Sequence, residues 1–321
     1  MNEHTTNQII NEIKKVIHGK DDVIKMVLAT ILAGGHVLLE DIPGVGKTTL
    51  AVAFSKSMSL TYSRVQFTPD VLPSDLIGFN MYDRKTGEFR FQEGSIYTNL
   101  FLADEINRTS PKTQSALLEV MEERHVTVEG KKREVPNPFF VIATQNPFGS
   151  SGTQRLPESQ LDRFMTCLTM GYPSHEDAID VLKGDSRTDL LEVQTTIDTD
   201  TLLKMQEEVK SLHVDESIYD YVVSITEATR IDSHYTLGLS PRGSIAILSM
   251  SRANAYLNGR SYVIPDDVKY IAPFVLSHRI ILTHSAKTEQ KDPHDIIKRP
   301  VLTEKDSKPI KFFEGMAEEE E

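Results

Sequence analysis

The segment Glu40-Asp41-Ile42-Pro43-Gly44-Val45-Gly46-Lys47-Thr48-Thr49 constrains this chain more than any other. A short apolar run, His36-Val37-Leu38-Leu39, precedes it, and a helix-like stretch, Leu50-Ala51-Val52-Ala53-Phe54, comes after it. Strand, glycine-rich loop, lysine and helix start together form a P-loop. The backbone N–H groups of such a loop wrap phosphate oxygens, and the helix N-terminus adds a favourable dipole. Lys47 is expected to reach the β/γ-phosphates and the Thr48 hydroxyl to hold Mg²⁺, with Pro43, Gly44, Val45, Gly46 and Thr49 completing the cradle. The first glycine of the pattern G-x-x-x-x-G-K-[ST] falls on Asp41. Gly44 and Gly46 still supply permissive backbone next to the phosphates. The alternative is a plain glycine turn that happens to carry a lysine.

Leu100-Phe101-Leu102-Ala103 reads as a buried strand that ends in Asp104-Glu105. Ligands of open α/β sheets bind at that edge, so adjacent carboxylates there suggest chemistry. Asp104 would position Mg²⁺ through its water shell, and Glu105 would act as general base on an attacking water. The second acid favours hydrolysis over simple binding. The other reading is an acidic loop start that caps the next helix. Phe140-Val141-Ile142-Ala143-Thr144-Gln145 is a further strand, and Asn146 just past its end could orient that water or merely cap a turn.

With 321 residues the chain can hold two domains, one of them large. No run of eighteen or more apolar residues exists, so no membrane insertion is expected. The first residues lack a basic segment joined to an apolar core, so they do not read as a secretory signal. Cys167 is the single cysteine and reads as a buried strand residue; with no disulfide possible within the chain, the cytosol is the expected compartment. A net charge of −12 argues against nucleic-acid binding as the main task. The ten histidines show no compact ligand spacing, so Mg²⁺ is the only metal implied.

Residues 9–34 read as two helices broken at His18-Gly19-Lys20. Apolar runs around 36–40, 62–67, 100–104, 138–144 and 165–170 read as strands, mostly separated by helical segments. Such a series means a parallel five-stranded sheet covered on both faces. From Pro173 the pattern turns helical: 174–184, 199–213, 215–231, 241–257 and 265–278, with Pro241 and Pro265 in first-turn positions. The expected division is 1–172 for an α/β nucleotide-binding domain, 173–287 for a small all-helical lid, and 288–321 for an extended tail ending in Glu318-Glu319-Glu320-Glu321. Two segments read as hairpins: Tyr82 to Ile96, turning at Arg84-Lys85-Thr86-Gly87-Glu88, and Val126 to Val135, turning around Gly130.

Four segments then carry a family resemblance: Gln66-Phe67-Thr68-Pro69-Asp70-Val71-Leu72-Pro73-Ser74-Asp75-Leu76-Ile77-Gly78, Asp104-Glu105-Ile106-Asn107-Arg108, Leu117-Leu118-Glu119-Val120-Met121-Glu122-Glu123, and Leu156-Pro157-Glu158-Ser159-Gln160-Leu161-Asp162-Arg163-Phe164. Together with the P-loop, they make the chain resemble the AAA+ ATPases, and within them the MoxR family, over residues from about 10 to 285. The resemblance implies a P-loop NTPase module joined to a helical lid, with ATP and Mg²⁺ as ligands. It implies that Asn146 is the sensor 1 residue, Arg163 the arginine finger acting on the neighbouring subunit's nucleotide, and Arg242 the sensor 2 residue linking the lid to the γ-phosphate. On the residues alone, Arg163 could instead pair with Glu158 or Asp162, and Arg242 could be a surface helix residue. Ile17-His18-Gly19-Lys20 matches the segment lining the adenine pocket, usually closed by Gln where this chain has Lys20. No Asn-Lys-x-Asp element for guanine is present. Arg108 is a further candidate for a subunit contact.

The resemblance also implies a homo-oligomeric ring, expected to be a hexamer, and makes the two hairpins the helix-2 insert and the pre-sensor 1 insert. The family usually shows Gly-Pro-Ile where this chain has Gly94-Ser95-Ile96, which predicts a looser backbone there. The basic tip Lys131-Lys132-Arg133 could meet an acidic partner or nucleic acid, or be a solvated turn. The expected activity is ATP hydrolysis that remodels, matures or activates partner proteins in a chaperone-like way, the resemblance pointing to partners with a von Willebrand factor A domain. An ATP-dependent binding switch with slow hydrolysis is the main rival. A nucleic-acid motor is disfavoured by the acidic charge and by the lack of a recognisable DNA-binding domain.

Overall fold

The computed structural model describes residues 2–42, 44–146, 156–183 and 190–289. In chain order its elements are α1 (Asn2–Lys14), α2 (Asp21–Leu32), β1 (Val37–Glu40), α3 (Lys47–Ser57), β2 (Tyr62–Gln66), α4 (Pro73–Ile77), β3 (Phe79–Asp83), β4 (Glu88–Gln92), β5 (Leu100–Asp104), a 3₁₀ turn (Ile106–Arg108), α5 (Pro111–Glu123), β6 (His125–Val128), β7 (Lys131–Glu134), β8 (Phe140–Gln145), α6 (Glu158–Leu161), β9 (Thr166–Leu168), α7 (His175–Lys183), α8 (Thr199–Ser211), α9 (Glu216–Ile231), β10 (Tyr235–Leu237), α10 (Pro241–Leu257), α11 (Pro265–Leu276), β11 (Ile281–Leu282) and α12 (His284–Glu289).

The five apolar runs form one parallel sheet in the order β2-β5-β8-β1-β9. The central strands β5 and β8 are rich in large apolar residues and buried on both faces, as a sheet covered by helices requires. Register aligns the strand ends: Gln66 pairs with Asp104, Ala103 with Ala143, and Glu40 with Gln145. The residues just past these strands, Asp41, Glu105 and Asn146, therefore emerge along one carboxyl edge.

One face of the sheet is covered by α1, α2 and α3 through Ile9, Ile13, Leu28 and Phe54, and the same apolar cluster continues unbroken into the lid helices through Leu202, Ile218, Ile247 and Ile271. The other face is closed by Phe67, Phe101, Leu117, Met121, Val141 and Phe164. Helix ends obey ordinary capping chemistry: Ser110, Asp198, Asp215 and Ser240 accept first-turn N–H bonds, and Pro111, Pro241 and Pro265 open their helices.

Several features differ from the sequence reading. Helix α1 starts at Asn2, well before the first apolar repeat, where Thr6 is fully buried. The lid carries an antiparallel pairing of β10 with β11, too short to leave an alternating pattern. Thr288 and Glu289 still belong to α12, so no extended tail begins at 288; the rest of that segment lies outside the described residues. Both hairpins form, as β3–β4 and β6–β7. Lys131-Lys132-Arg133, however, is an arm and not a tip: the turn is Glu129-Gly130. The Arg133 guanidinium lies 3.6 Å from the Phe91 ring centroid on the other hairpin, and Asn80 donates to Glu129 at 2.5 Å. The backbone at Ser95 is tied down rather than loose: its N–H and hydroxyl both donate to the Asp75 carbonyl, a bond that Pro could not make through nitrogen.

Two histidines, His36 buried and His278 half-buried, are held neutral. His36 accepts the Val141 N–H at Nδ1, so its Nε2 donates to the Met121 carbonyl. His278 bonds the Phe164 carbonyl through Nε2. Burial pushes each ring down to about 3, helped by the neighbouring Arg124 and Arg279. A base whose folded pKa is depressed binds its proton better when unfolded, so its stabilisation is complete above about pH 6.5 and is lost as pH falls toward 3. Denaturant unfolding should therefore show each ring costing about 2 kcal/mol of stability between pH 7 and pH 5. A double His36→Gln/His278→Gln variant should show a correspondingly flatter profile. An equal slope in both proteins would refute this.

Candidate nucleotide-binding site

The loop after β1 owes its shape to its glycines. Gly44 and Gly46 adopt φ of 86° and 92°, a left-handed backbone that residues with a Cβ rarely adopt. Gly46 is the N-cap of α3 and brings no side-chain cap, so the first N–H groups of that helix remain available to a ligand. Lys47 opens the helix, and its ammonium donates to the Asp41 and Ile42 carbonyls at 3.0 and 3.2 Å. Burial lowers the Lys47 pKa, while the carboxylates of Asp41, Asp104 and Glu105 act to raise it. Asp41 fills the place of the missing glycine with a buried carboxylate that accepts from the N–H groups of Ile42 (3.0 Å), Met170 (2.5 Å) and Gly171 (2.8 Å).

Opposite the loop stand the two acids. Asp104 accepts from Thr144 Oγ1 at 2.7 Å and from Arg64 at 2.7 Å. Glu105 occupies the left-handed region at φ 56°, a conformation that a non-glycine residue keeps only where its surroundings enforce it. Its N–H donates to Thr144 Oγ1 at 2.9 Å. Its side chain makes no helix-capping bond and accepts instead from Gln66 Nε2 (2.8 Å) and Arg108 Nη1 (2.6 Å).

These groups share one cavity of ≈ 410 Å³, lined by Asp41, Gly44, Gly46, Lys47, Thr48, Thr49, Arg64, Gln66, Asp104, Glu105 and Asn146. The volume falls within the range of small-ligand clefts. The Thr48 hydroxyl and the Asp104 carboxylate offer only hard oxygen donors. That suits Mg²⁺, which arrives largely coordinated by water and phosphate.

The other expected site residues lie elsewhere. Pro43 is outside the described residues. Val45 turns away from the cleft and packs against the apolar core. His18 and Gly19 do not line the cavity; their loop stands behind it, with Ile17 packed near Gly46. Arg163 and Arg242 also do not line it. Both pair with Glu122 on α5, Arg163 at 3.4 Å. Asp162, an alternative partner for Arg163 on the residues alone, is instead occupied by Ser240 and by Arg279, at 2.8 Å for the latter. Arg279 is buried and also donates to the Phe164 and Met165 carbonyls, which fixes the Arg163 loop against the lid. Arg108 is engaged by Glu105 of its own chain. Arg64, which holds Asp104, carries no motif in the sequence; Gln66, which holds Glu105, opens one of the four segments of the resemblance, but its role shows only in its position at the end of a strand beside Asp104.

Comparison with known proteins agrees with this geometry. Residues 36–166 match the domain described as ATPase family associated with various cellular activities (AAA), and residues 227–300 match the AAA lid domain. The chain is similar to the uncharacterized protein YeaC of Bacillus subtilis, at 50% identity over 281 residues covering 87% of this chain and 88% of the relative. It is also similar to the chaperone MoxR1 of Mycobacterium tuberculosis, at 40% identity over 309 residues covering 94% and 82%. A crystal structure from Cytophaga hutchinsonii, provisionally described as an ATPase, superposes with a TM-score of 0.86 at 36% identity, covering 94% of each chain.

Proposed function

The chain belongs to the MoxR family of AAA+ ATPases, and from that premise we propose that it hydrolyses Mg²⁺-bound ATP to remodel or activate partner proteins in a chaperone-like manner. One observation carries the reading: Lys47 and Thr48 face Asp104 and Glu105 across a single cavity at the carboxyl edge of the sheet. Lys47 would exchange its two carbonyl partners for phosphate oxygens. Thr48 and Asp104 would hold Mg²⁺, which when bound offsets phosphate charge. Glu105 would take the proton of the attacking water, oriented by Asn146.

Arg163 and Arg242 meet on Glu122, outside the cavity of their own chain. This supports a homo-oligomeric ring, a hexamer by analogy, in which Arg163 acts on a neighbour's nucleotide while Arg242 links the lid to the γ-phosphate. A partner with a von Willebrand factor A domain rests on the family resemblance alone, and action in the cytosol on the single cysteine, Cys167. Among the described residues no helix is long and apolar enough to cross a membrane.

A second reading, a switch that binds ATP and hydrolyses it slowly, is favoured by the bonds that Gln66 and Arg108 make to Glu105, which hold the base in place before it can act. Both readings require nucleotide binding. Calorimetric titration with Mg·ATP should show Lys47→Ala binding about 10–100-fold more weakly than wild type, the value of one charge-assisted bond. Equal affinity in the folded variant would remove the site.

A further inference from the structure

Two departures from the motif patterns, Asp41 for glycine and Lys20 for glutamine, converge on one short segment. The Asp41 carboxylate accepts from the N–H groups of Met170 and Gly171. Lys20 Nζ donates to the carbonyl of Tyr172 at 2.8 Å. That segment leaves β9 and leads within a few residues to α7. We propose that Asp41 and Lys20 clamp the 170–172 junction, making Asp41 a positioning residue that passes the state of the P-loop to the chain entering the lid. The inference rests on the nucleotide-hydrolysis reading.

The geometry gives the clamp a purpose. Asp41 is 5% exposed, and a carboxylate that deep is tolerated because backbone donors satisfy it. Glycine at this position would leave the Met170 and Gly171 N–H groups without that acceptor. The backbone of the same residue reaches the nucleotide machinery twice: its carbonyl accepts from Lys47, and its N–H donates to the Gln145 carbonyl beside Asn146. When Lys47 turns to phosphate, residue 41 is released on its carbonyl side while its carboxylate still grips the junction. The loop at Gly19, which the family resemblance puts beside adenine, holds the same region. Gly19, at φ 66°, packs under the Asp177 carboxylate of α7, where a Cβ would collide with it, and Met170 packs near Gly46. Movement at either end of the nucleotide is thus delivered to residues 170–177.

The test is amide hydrogen exchange of a peptide spanning 168–173 in the full chain, with and without Mg·ATP, alongside steady-state kinetics. Without nucleotide, Asp41→Gly should exchange there about tenfold faster than wild type, since an amide that loses its buried acceptor opens more readily. Mg·ATP should change exchange of this peptide in wild type and not in the variant. Turnover should fall about tenfold with KM kept within about threefold, a loss confined to the step after binding. Asp41→Asn, with one carboxylate oxygen replaced by an amide donor, should fall between the two. A folded Asp41→Gly protein that keeps wild-type exchange and kcat, or that keeps the nucleotide response, overturns the clamp while leaving the ATPase reading intact. If that variant does not fold, Lys20→Ala carries the same test at Tyr172, and an unchanged nucleotide response there overturns it. A wild-type protein that neither binds nor hydrolyses Mg·ATP overturns the ATPase reading, and the nucleotide-free comparison then judges the clamp alone.

Discussion

Arg163→Ala should cut ATP turnover by the assembled protein about 10³-fold or more, the scale on which an arginine supplied across an interface stabilises the charge of phosphoryl transfer. The expectation comes from where the side chain is. Arg163 lies beyond the end of α6, outside the cavity of its own subunit, paired with Glu122 at 3.4 Å and roughly one third exposed. Such a pair is weak enough to exchange for a phosphate on a neighbour. Wild-type turnover per subunit should accordingly rise with protein concentration as subunits assemble, while the variant stays flat and low. Mg·ATP affinity measured at dilution should be the same for both. Turnover that does not depend on concentration, with no effect of the substitution, would rule out catalysis across subunits.

Glu105→Gln should lower turnover by about 10²–10⁴-fold, the usual contribution of a positioned general base. Affinity for Mg·ATP should change little, because Lys47, Thr48 and the loop backbone are untouched. The amide can still accept from Arg108, so the left-handed turn at residue 105 should survive. The same variant separates the two functional readings. If partner activation persists with ATP bound and unhydrolysed, nucleotide occupancy is the signal; if it stops, the cycle itself does the work. Residual turnover close to wild type would mean that another group accepts the proton.

Much of this architecture is legible in the chain because its strongest signals are local. The runs at 36–40, 100–104 and 138–144 are apolar on both faces and bounded by polar residues, the pattern of interior strands. The P-loop and the paired acids are read over a few residues each. What escapes depends on contacts distant in sequence. Arg64 and Gln66 belong to a half-exposed edge strand, and only the pairing of Gln66 with Asp104 reveals what they hold. Arg279 is a charged residue near a helix end, which ordinarily means surface; it is buried because Asp162 and the 164–165 carbonyls await it. That Glu122 serves two arginines from different elements, and that Asp41 reaches across to residues 170 and 171, are equally matters of three-dimensional proximity.

The apolar interior that runs from beneath the sheet into the terminal helices also limits what kind of machine this can be. Densely packed side chains resist gradual shear and give way by small, discrete repacking. A helical bundle that shares its filling with the sheet moves against that packing and not free of it. On the proposed ATPase reading, each turnover would then yield a short, stiff tilt instead of a wide opening, a gearing suited to prising or seating a bound protein a little at a time.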